Sequence, residues 1–309
     1  MTIENSEAII LNGIKYGDSS KILRVLTRNN GKLSLIAKGA YRKNNKFGAS
    51  IEPSTISNII FYFKNNRDLQ QLTESSFEYK YKNVFKEIER ICTNYLILEF
   101  LDFTQKKDYI NHKVFDIAKY YLIQNDKKEV NTFINLSLFL IDLVDTLGYR
   151  INLTSINYFI KINNIKNGKM ILNLEDLNPL KNNYDNKIKS IKLDIETITY
   201  LQLLENIRLK NKSYNIENLD NLENLENKIP VNSMIQNILN VENQEVQTIE
   251  SLPNEEVPLV SNLSNISDQL DGHYYEKKIF HKHLDFFADY ISFHLDNRIY
   301  LKSLKLLNY

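Results

Sequence analysis

The sequence predicts an α+β protein, with a small five-stranded barrel at the N-terminus and an all-helical domain after it. Five of the eight glycines fall within the first 48 residues, where they separate short runs of β-forming residues. Beyond residue 77 the apolar residues instead recur every three or four positions, which is the period of amphipathic helices. This change of period indicates where the barrel gives way to helices.

The N-terminal region is expected to contain five strands. We place them at residues 8–15, 21–28, 32–38, 54–63 and 68–74. The tripeptide Asn29-Asn30-Gly31 predicts a hairpin turn between the second and third strands, because Asn and Gly tolerate positive φ. Phe61 and Phe63 share one face of the fourth strand and are expected in the barrel core. Five strands in about 80 residues, with a basic surface, are typical of an OB-fold barrel.

Helical periods follow the barrel. They run through residues 84–100, 114–122, 130–147 and 193–210, and through a last helix that ends near residue 296. The third helix is apolar on most sides and is expected in the middle of the helical core, with Gly148 as its left-handed cap. Residues 152–180 are expected to be β-like or irregular. The core stripe of the last helix consists of Phe280, Leu284, Phe287, Ile291 and Leu295.

These patterns divide the chain into four parts. An OB-fold nucleic-acid-binding domain covers residues 1–80, and a helical domain covers residues 81–212. An acidic, low-complexity insertion covers residues 213–272, and a C-terminal helix in residues 273–309 is expected to pack on the helical domain. The insertion holds eleven acidic residues and one lysine, a net charge of −10, which predicts disorder. Its regularly spaced leucines also allow a short amphipathic helix that docks.

Composition limits the class of protein. The chain has 309 residues, of which 43% are hydrophobic, so two packed cores are possible. Cys92 is the only cysteine, which excludes an intrachain disulfide and a multi-cysteine zinc site and fits a reducing compartment. Residues 1–7 carry no basic segment before an apolar one, and the most apolar stretch is interrupted by acids. A cytoplasmic protein is expected.

Positive charge is concentrated near the N-terminus. Residues 12–46 contain nine lysines and arginines against one acid, Asp18, a local charge of +8 in a chain whose total is +1. Such a concentration attracts polyanions even when the whole molecule is nearly neutral. Tyr16, Tyr41 and Phe47 are interleaved with these cations and are expected to stack on bases. Residues 12–46 are therefore expected to form a nucleic-acid-binding surface.

Ten residues are the candidates for this surface. Lys38, Arg42, Lys43 and Lys46 are expected to make the first phosphate contacts. The full set is Lys15, Lys21, Arg24, Arg28, Lys32, Lys38, Tyr41, Arg42, Lys43 and Lys46. Because successive strand residues point to opposite faces, not all of them can share one surface.

Catalytic and metal chemistry find little support in the sequence. The residues around Lys38 and Gly39 lack the glycine spacing of a nucleotide-binding phosphate loop. His281 and His283 are two positions apart and therefore project to different faces of a helix. Cys92 lies among apolar residues and is expected in the core, while Glu99 and Asp142 are expected to be partly buried and paired structurally. We expect no enzyme activity, no metal and no cofactor.

The motifs along the chain resemble those of a known family. In order, the N-terminal motifs are Tyr16-Gly17-Asp18-Ser19-Ser20, Leu26-Thr27-Arg28, Gly31-Lys32-Leu33, Ala37-Lys38-Gly39-Ala40, Phe47-Gly48, Ile51-Glu52-Pro53, and Asp68-Leu69 with Leu72-Thr73-Glu74. Leu147-Gly148-Tyr149 follows in mid-chain, and Arg298, Leu301, Lys302, Ser303 and Leu304 follow near the end. This order resembles the RecO family of bacterial DNA repair and recombination proteins, over residues 1 to about 155 and again over residues 274–307.

The resemblance implies an N-terminal OB-fold, a helical domain and the role of a recombination mediator in the RecF pathway. Such a protein binds single- and double-stranded DNA and anneals complementary strands. With RecR it helps RecA replace the single-strand-binding protein on DNA, and it is expected in the cytoplasm with the nucleoid. The implied partners are therefore DNA, RecR, the C-terminal tail of the single-strand-binding protein and, indirectly, RecA. No membrane partner is expected.

Two features depart from the family. Many of its members carry a four-cysteine zinc site after the Leu-Gly-Tyr signature, but residues 151–180 here contain no cysteine. The acidic residues 213–272 have no counterpart in the resemblance, and one hypothesis is that they compete with DNA for the basic barrel. A solvated insertion without effect is the alternative.

Two other functions remain open on the residues alone. The barrel could serve as an interaction scaffold that binds an acidic protein tail, because a basic and apolar groove suits such a tail. An RNA-binding OB protein is the other possibility, since no motif here reports contacts to the 2′-hydroxyl.

Overall fold

The chain forms two compact units. The first comprises Met1–Lys128 and Ile299–Tyr309, and the second comprises Glu129–Arg298. The computed structural model describes residues 2–107, 109–151, 153, 156, 160, 168–180, 188–215 and 272–308. The acidic residues 213–272 lie almost entirely outside these ranges, and the domain boundaries drawn from the sequence stay predictions.

Five strands in the first unit close into a barrel. They are β1 (Thr2–Tyr16), β2 (Ser20–Thr27), β3 (Gly31–Ala37), β4 (Ile56–Phe63) and β5 (Leu69–Tyr79). Their order around the barrel is β1-β2-β3-β5-β4. All neighbouring pairs are antiparallel except β3 and β5, which run parallel. This is the arrangement of the OB-fold, so the predicted barrel is confirmed.

The barrel interior is filled by alternate residues of its strands. Leu23 and Val25 of β2 face Leu33 and Leu35 of β3, and all four are at most 4% exposed. Phe61 is fully buried in the same core, as predicted, and Phe63 packs against it. Each such side chain contributes about 1.5–3 kcal/mol by leaving water. The residues between them point outward, and these outward residues carry the charges.

The strands differ from their predicted bounds mainly at β1. This strand begins at Thr2, six residues before its predicted start. Its mostly polar first six residues pair with β4, from Thr2↔Phe63 to Glu7↔Asn58. Backbone pairing, rather than an apolar pattern, extends the strand there. The Asn29-Asn30-Gly31 hairpin is confirmed, and Gly31 adopts a φ of 67°.

Two helices complete the described core of the first unit, α1 (Ile88–Thr104) and α2 (His112–Gln124). Cys92 of α1 is fully buried, as expected. The carboxylate of Asp126, just after α2, accepts N–H groups from Lys82, Asn83 and Val84 at 2.7–3.0 Å. These bonds fix the segment between the barrel and α1, because three backbone donors that have no strand partner are satisfied by one buried anion.

The described residues of the second unit include three helices and a two-stranded sheet. The elements are α3 (Thr132–Thr146), β6 (Lys169–Asn173), β7 (Ser190–Asp194), α4 (Ile195–Asn215) and α5 (Gly272–His294). β6 lies within residues 152–180, which were expected to be β-like or irregular, whereas its antiparallel partner β7 was not predicted. The helix predicted from residue 193 begins at Ile195, because Asp194 accepts the N–H of Thr197 at 2.8 Å and caps it.

The ends and core of the helices in the second unit follow the predicted pattern. Gly148 has a φ of 90°, and the N–H of Tyr149 donates to the carbonyl of Val144 at 2.8 Å. This pairing is the Schellman cap that the glycine predicted for α3. The predicted stripe of α5 is buried from Phe280 to Ile291. In the described part of the chain, no helix combines the length and apolar character needed to cross a bilayer.

An ionic network lies inside the second unit. The guanidinium of Arg208 on α4 is 3% exposed and pairs with Asp142 at 2.6 Å, with Asp145, and with Glu205 at 2.9 Å. These acids raise the pKa of Arg208, although burial alone would lower it. The expected partial burial of Asp142 is thus confirmed, and its partner is an arginine.

Candidate nucleic-acid interface

The basic loop, residues 38–46, follows β3 and is held in place by backbone bonds. The N–H of Tyr41 donates to the carbonyl of Ser19 at 2.9 Å, which ties the loop to the β1–β2 turn. Within the loop, Arg42 N–H donates to Gly39 at 3.0 Å, and Asn45 N–H donates to Arg42 at 3.1 Å. The loop is therefore a series of fixed turns.

The end of the loop is anchored in the barrel. Asn45 Oδ1 accepts the N–H groups of Phe47 at 3.1 Å and Gly48 at 2.6 Å. The ring of Phe47 is 4% exposed and belongs to the barrel core. The expectation that Phe47 stacks on bases is therefore wrong, because its ring fills the barrel beneath the loop. Lys46 extends over that ring, 5.4 Å from its centroid.

The side chains of the basic loop point into solvent. Lys38, Arg42, Lys43 and Lys46 are exposed, and within the described residues none of them forms an ion pair. Tyr41 is 50% exposed, so an apolar ring lies among these cations. The loop thus presents charge that no acid of the described chain neutralises.

The end of β1 extends this surface. Tyr16 pairs with Ser20, and Lys21 pairs with Ala37, so the last residues of β1 lie near the start of the basic loop. Lys15 is exposed, and Tyr16 is 54% exposed. We define the loop surface as Lys15, Tyr16, Lys38, Tyr41, Arg42, Lys43 and Lys46.

Lys21, another candidate, points into the barrel wall. Its side chain is 5% exposed, and its Nζ donates to Glu52 at 2.7 Å. The side chain passes over Gly13, where an added Cβ would lie 2.4 Å from Lys21 Cε. Glycine at position 13 therefore makes room for the buried side chain of Lys21, whose ammonium is engaged by the 55% exposed carboxylate of Glu52.

Three further candidates pair with acids of the helices. Arg24 and Lys32 both pair with the carboxylate of Asp102. Arg24 contacts Oδ2, and the Nζ of Lys32 lies 3.3 Å from Oδ1. Arg28 makes two bonds to Asp116, at 2.9 and 3.1 Å, and this carboxylate raises the pKa of Arg28. The outer face of β2 and β3 is therefore largely neutralised within the chain. This pairing could not be predicted from sequence patterns, because the acids are 70 to 88 residues away from their partners.

Two exposed cations outside the expected stretch had no sequence signal. Lys64 and Arg67 lie in the loop between β4 and β5 and form no ion pair in the described part of the chain. They were missed because only two positive residues occur there, whereas the N-terminal stretch has nine.

His283 and His294 of α5 have packing roles. His283 is 1% exposed, stacks on Tyr200 with ring centroids 4.4 Å apart, and places Nε2 3.2 Å from the Thr197 carbonyl. His294 stacks on Tyr149 at 4.4 Å. Among the described residues, no group of three His, Cys, Asp or Glu side chains is arranged to hold a metal ion.

His283 should make the stability of the second unit depend on pH. Burial lowers its pKa to about 4 from the ordinary value of 6.5. The unfolded chain therefore binds a proton between pH 6.5 and 4 that the folded chain does not, so stability falls as pH falls through this range. The loss should reach about 3 kcal/mol near pH 4. Urea unfolding of the protein and of His283→Gln at pH 7.5 and 4.5 checks this: the variant should lose less stability on acidification, and an equal loss would contradict it.

Glu99 of α1 is partly buried, as the sequence predicted. Its carboxylate accepts the N–H and the hydroxyl of Ser303, at 3.1 and 2.9 Å. Burial raises the pKa of Glu99, and the bonds from Ser303 oppose that rise. The carboxylate thus fastens residues 299–308 to α1, which is a structural role.

Comparison with known proteins agrees with the fold. Residues 1–80 match the family model described as "Recombination protein O N terminal". The chain is 35% identical to the DNA repair protein RecO of Salinibacter ruber over 101 residues, which is 33% of this chain and 39% of that protein. It is 30% identical to the DNA repair protein RecO of Pelodictyon phaeoclathratiforme over 148 residues, 48% of this chain and 57% of that protein.

These matches fit a closed barrel with an exposed basic loop, and they identify its class as that of OB-fold proteins. Residues 1–80 match the N-terminal domain of the RecO family, so the resemblance of the N-terminal motifs to that family is confirmed, while the resemblance over residues 274–307 stays a prediction. The matched region spans between 39% and 57% of the length of these two relatives.

Proposed function

We propose that this protein is a DNA repair and recombination mediator that binds DNA through the loop surface. Single-stranded and double-stranded DNA are the proposed ligands, and annealing of complementary strands is the proposed action. The proposal requires no catalytic step and no cofactor.

One observation carries the proposal. The five cations of the loop surface are exposed and lack ion pairs within the described chain, whereas Lys21, Arg24, Arg28 and Lys32 are engaged by acids of the chain itself. Unpaired cations on a fixed loop are available to phosphates without first breaking an internal bond. This contrast favours the loop over the outer face of β2 and β3.

The chemistry of the loop surface suits a ligand of any base sequence. Cations attract the phosphate backbone and release its counterions, and this attraction contains no base readout. Tyr16 and Tyr41 are about half exposed and offer rings on which bases stack. Bases held this loosely remain able to pair with a second strand, as annealing requires.

The further partners follow from the RecO resemblance. We propose that RecR and the C-terminal tail of the single-strand-binding protein bind this chain, and that RecA loading on covered DNA is the outcome. We also propose a cytoplasmic location with the nucleoid. The relatives in the comparison are DNA repair proteins. This supports a role in DNA repair more than it supports binding to any one of these partners.

A salt series with labelled single-stranded DNA tests the proposal. Five cations on the loop surface should give a plot of log affinity against log salt with a slope of about −3.5, since each phosphate contact on a single strand contributes about −0.7. Fluorescence anisotropy of a labelled oligothymidylate measures this slope. Absence of binding at low salt would contradict the proposal and favour a protein ligand. Stronger competition by RNA than by DNA of the same sequence would favour an RNA-binding protein.

A further inference from the structure

We infer that the β4–β5 loop, residues 64–68, is a second phosphate-binding site for nucleic acid, separate from the loop surface. The inference rests on the proposed function, because it adds a second contact to the same class of ligand. Three observations support it: Lys64 and Arg67 are exposed, a cavity lies beside them, and the loop lies at the Thr2 end of β1, whereas the loop surface lies at the Tyr16 end.

The loop is held in shape by one buried side chain. Gln70 is 3% exposed, and its Oε1 accepts the N–H of Lys64 at 3.0 Å. Its Nε2 donates to the carbonyls of Lys64 at 2.9 Å and Arg67 at 2.7 Å. One amide therefore fixes both sides of the turn. A fixed turn loses little conformational freedom when Lys64 and Arg67 meet a ligand.

The charge of this loop remains available. Its acid, Asp68, pairs with Lys107, so it does not neutralise Lys64 or Arg67. A cavity of about 510 Å³ opens beside the two cations. Its lining consists of Thr2, Phe63, Lys64, Asn65, Asn66 and Arg67. Cations, amides and one aromatic ring are the groups that meet a phosphate and its neighbouring base, whereas the Thr2 hydroxyl already donates to Glu4 at 2.9 Å.

The two surfaces lie at opposite ends of β1. Phe63, just before the β4–β5 loop, pairs with Thr2, while Tyr16 pairs with Ser20 beside the turn that holds the basic loop. The shorter path between the two surfaces runs along β3. Ser34 of β3 pairs with Leu69, which directly follows the β4–β5 loop, and Lys38 comes four residues after Ser34, about 13 Å further at about 3.3 Å per residue.

The surface between the two sites is not a continuous cationic groove. Asp102 and Asp116 neutralise Arg24, Lys32 and Arg28 on the outer face of β2 and β3. Two short strands can therefore occupy one barrel at the same time. Such a barrel brings two strands together within a single protein, which is the first requirement of annealing.

Titration with tetrathymidylate tests the inference. Four nucleotides are the low end of the site sizes of OB-folds, about 4–16 nucleotides, so this probe is short enough for each site to hold its own oligonucleotide. Native mass spectrometry and calorimetry at low salt should find two bound per wild-type chain. Lys64→Glu/Arg67→Glu should bind one, and the control Lys113→Glu/Lys128→Glu, with the same change of charge at other exposed lysines, should still bind two.

A second variant tests the role of the fixed turn without changing charge. Gln70→Leu should weaken the second binding event by about tenfold or more, because it leaves both sides of the turn without the amide that holds them. Thermal unfolding by circular dichroism shows whether its barrel stays folded.

The possible results separate this inference from the proposed function. One tetrathymidylate bound per wild-type chain, and none bound by Arg42→Glu/Lys43→Glu, would overturn the second site and leave the proposed function standing. Two oligonucleotides bound per chain of the Lys64→Glu/Arg67→Glu variant would also overturn the second site. No binding by the wild-type chain would contradict both.

Discussion

The double charge reversal Arg42→Glu/Lys43→Glu is expected to lower the affinity for single-stranded DNA on the order of 100-fold at low salt. The change removes two phosphate contacts and adds two repulsive charges at the same place. Both side chains are exposed and form no ion pair in the described chain, so folding should be unaffected. Fluorescence anisotropy measures the affinity, and thermal unfolding by circular dichroism checks the fold.

A matched pair of neutral variants assigns the effect to the loop. Arg42→Gln/Lys43→Gln and Arg24→Gln/Arg28→Gln each remove two positive charges, and all four side chains are exposed. The first variant should make the salt slope less steep by about 1.4. The second should leave the slope nearly unchanged, because its cations are already paired with Asp102 and Asp116. Equal effects of both variants would show that net charge alone governs binding.

The barrel was predictable because its signals are local. Alternating apolar residues, glycines at turns and the Asn29-Asn30-Gly31 hairpin each act within a few residues of the chain. The same holds for α3 and its cap at Gly148, where one glycine and the end of an apolar period are enough. The early start of β1 was missed because pairing with β4 stabilises a stretch without an apolar pattern.

The candidate surface was predictable only in part, because a count of charges contains no information on their partners. The sequence placed Lys32 and Lys38 in one basic stretch, but Lys32 meets Asp102, 70 residues away, and Lys38 meets no acid in the described chain. Strand alternation showed that the cations divide between faces. Only the fold shows which face the helices neutralise.

The absence of cysteines from residues 151–180 raises the question of what holds the second unit together. The chain has a single cysteine, Cys92, so a multi-cysteine zinc site cannot hold this unit together. In the described part of this unit, Arg208 makes the most buried ionic contacts, to two residues of α3 and one of α4. This guanidinium joins the two helices.

Arg208→Met is therefore expected to destabilise the second unit by about 3–5 kcal/mol, because it removes a buried guanidinium that pairs with three partly buried carboxylates. Methionine keeps the length and helix propensity of the side chain, so the change is mainly one of charge and hydrogen bonding. Urea unfolding followed by far-ultraviolet circular dichroism measures the difference at pH 7.

The matched control is Arg150→Met, which removes an arginine from the same acid, Glu205. The Arg150 guanidinium is 64% exposed and 3.9 Å from that carboxylate, so water already screens the pair. Its loss should cost less than about 0.5 kcal/mol. If Arg208→Met cost as little as this control, the buried network would contribute no more than a surface ion pair. Apolar packing of α3 against α4 would then have to account for the stability of the unit.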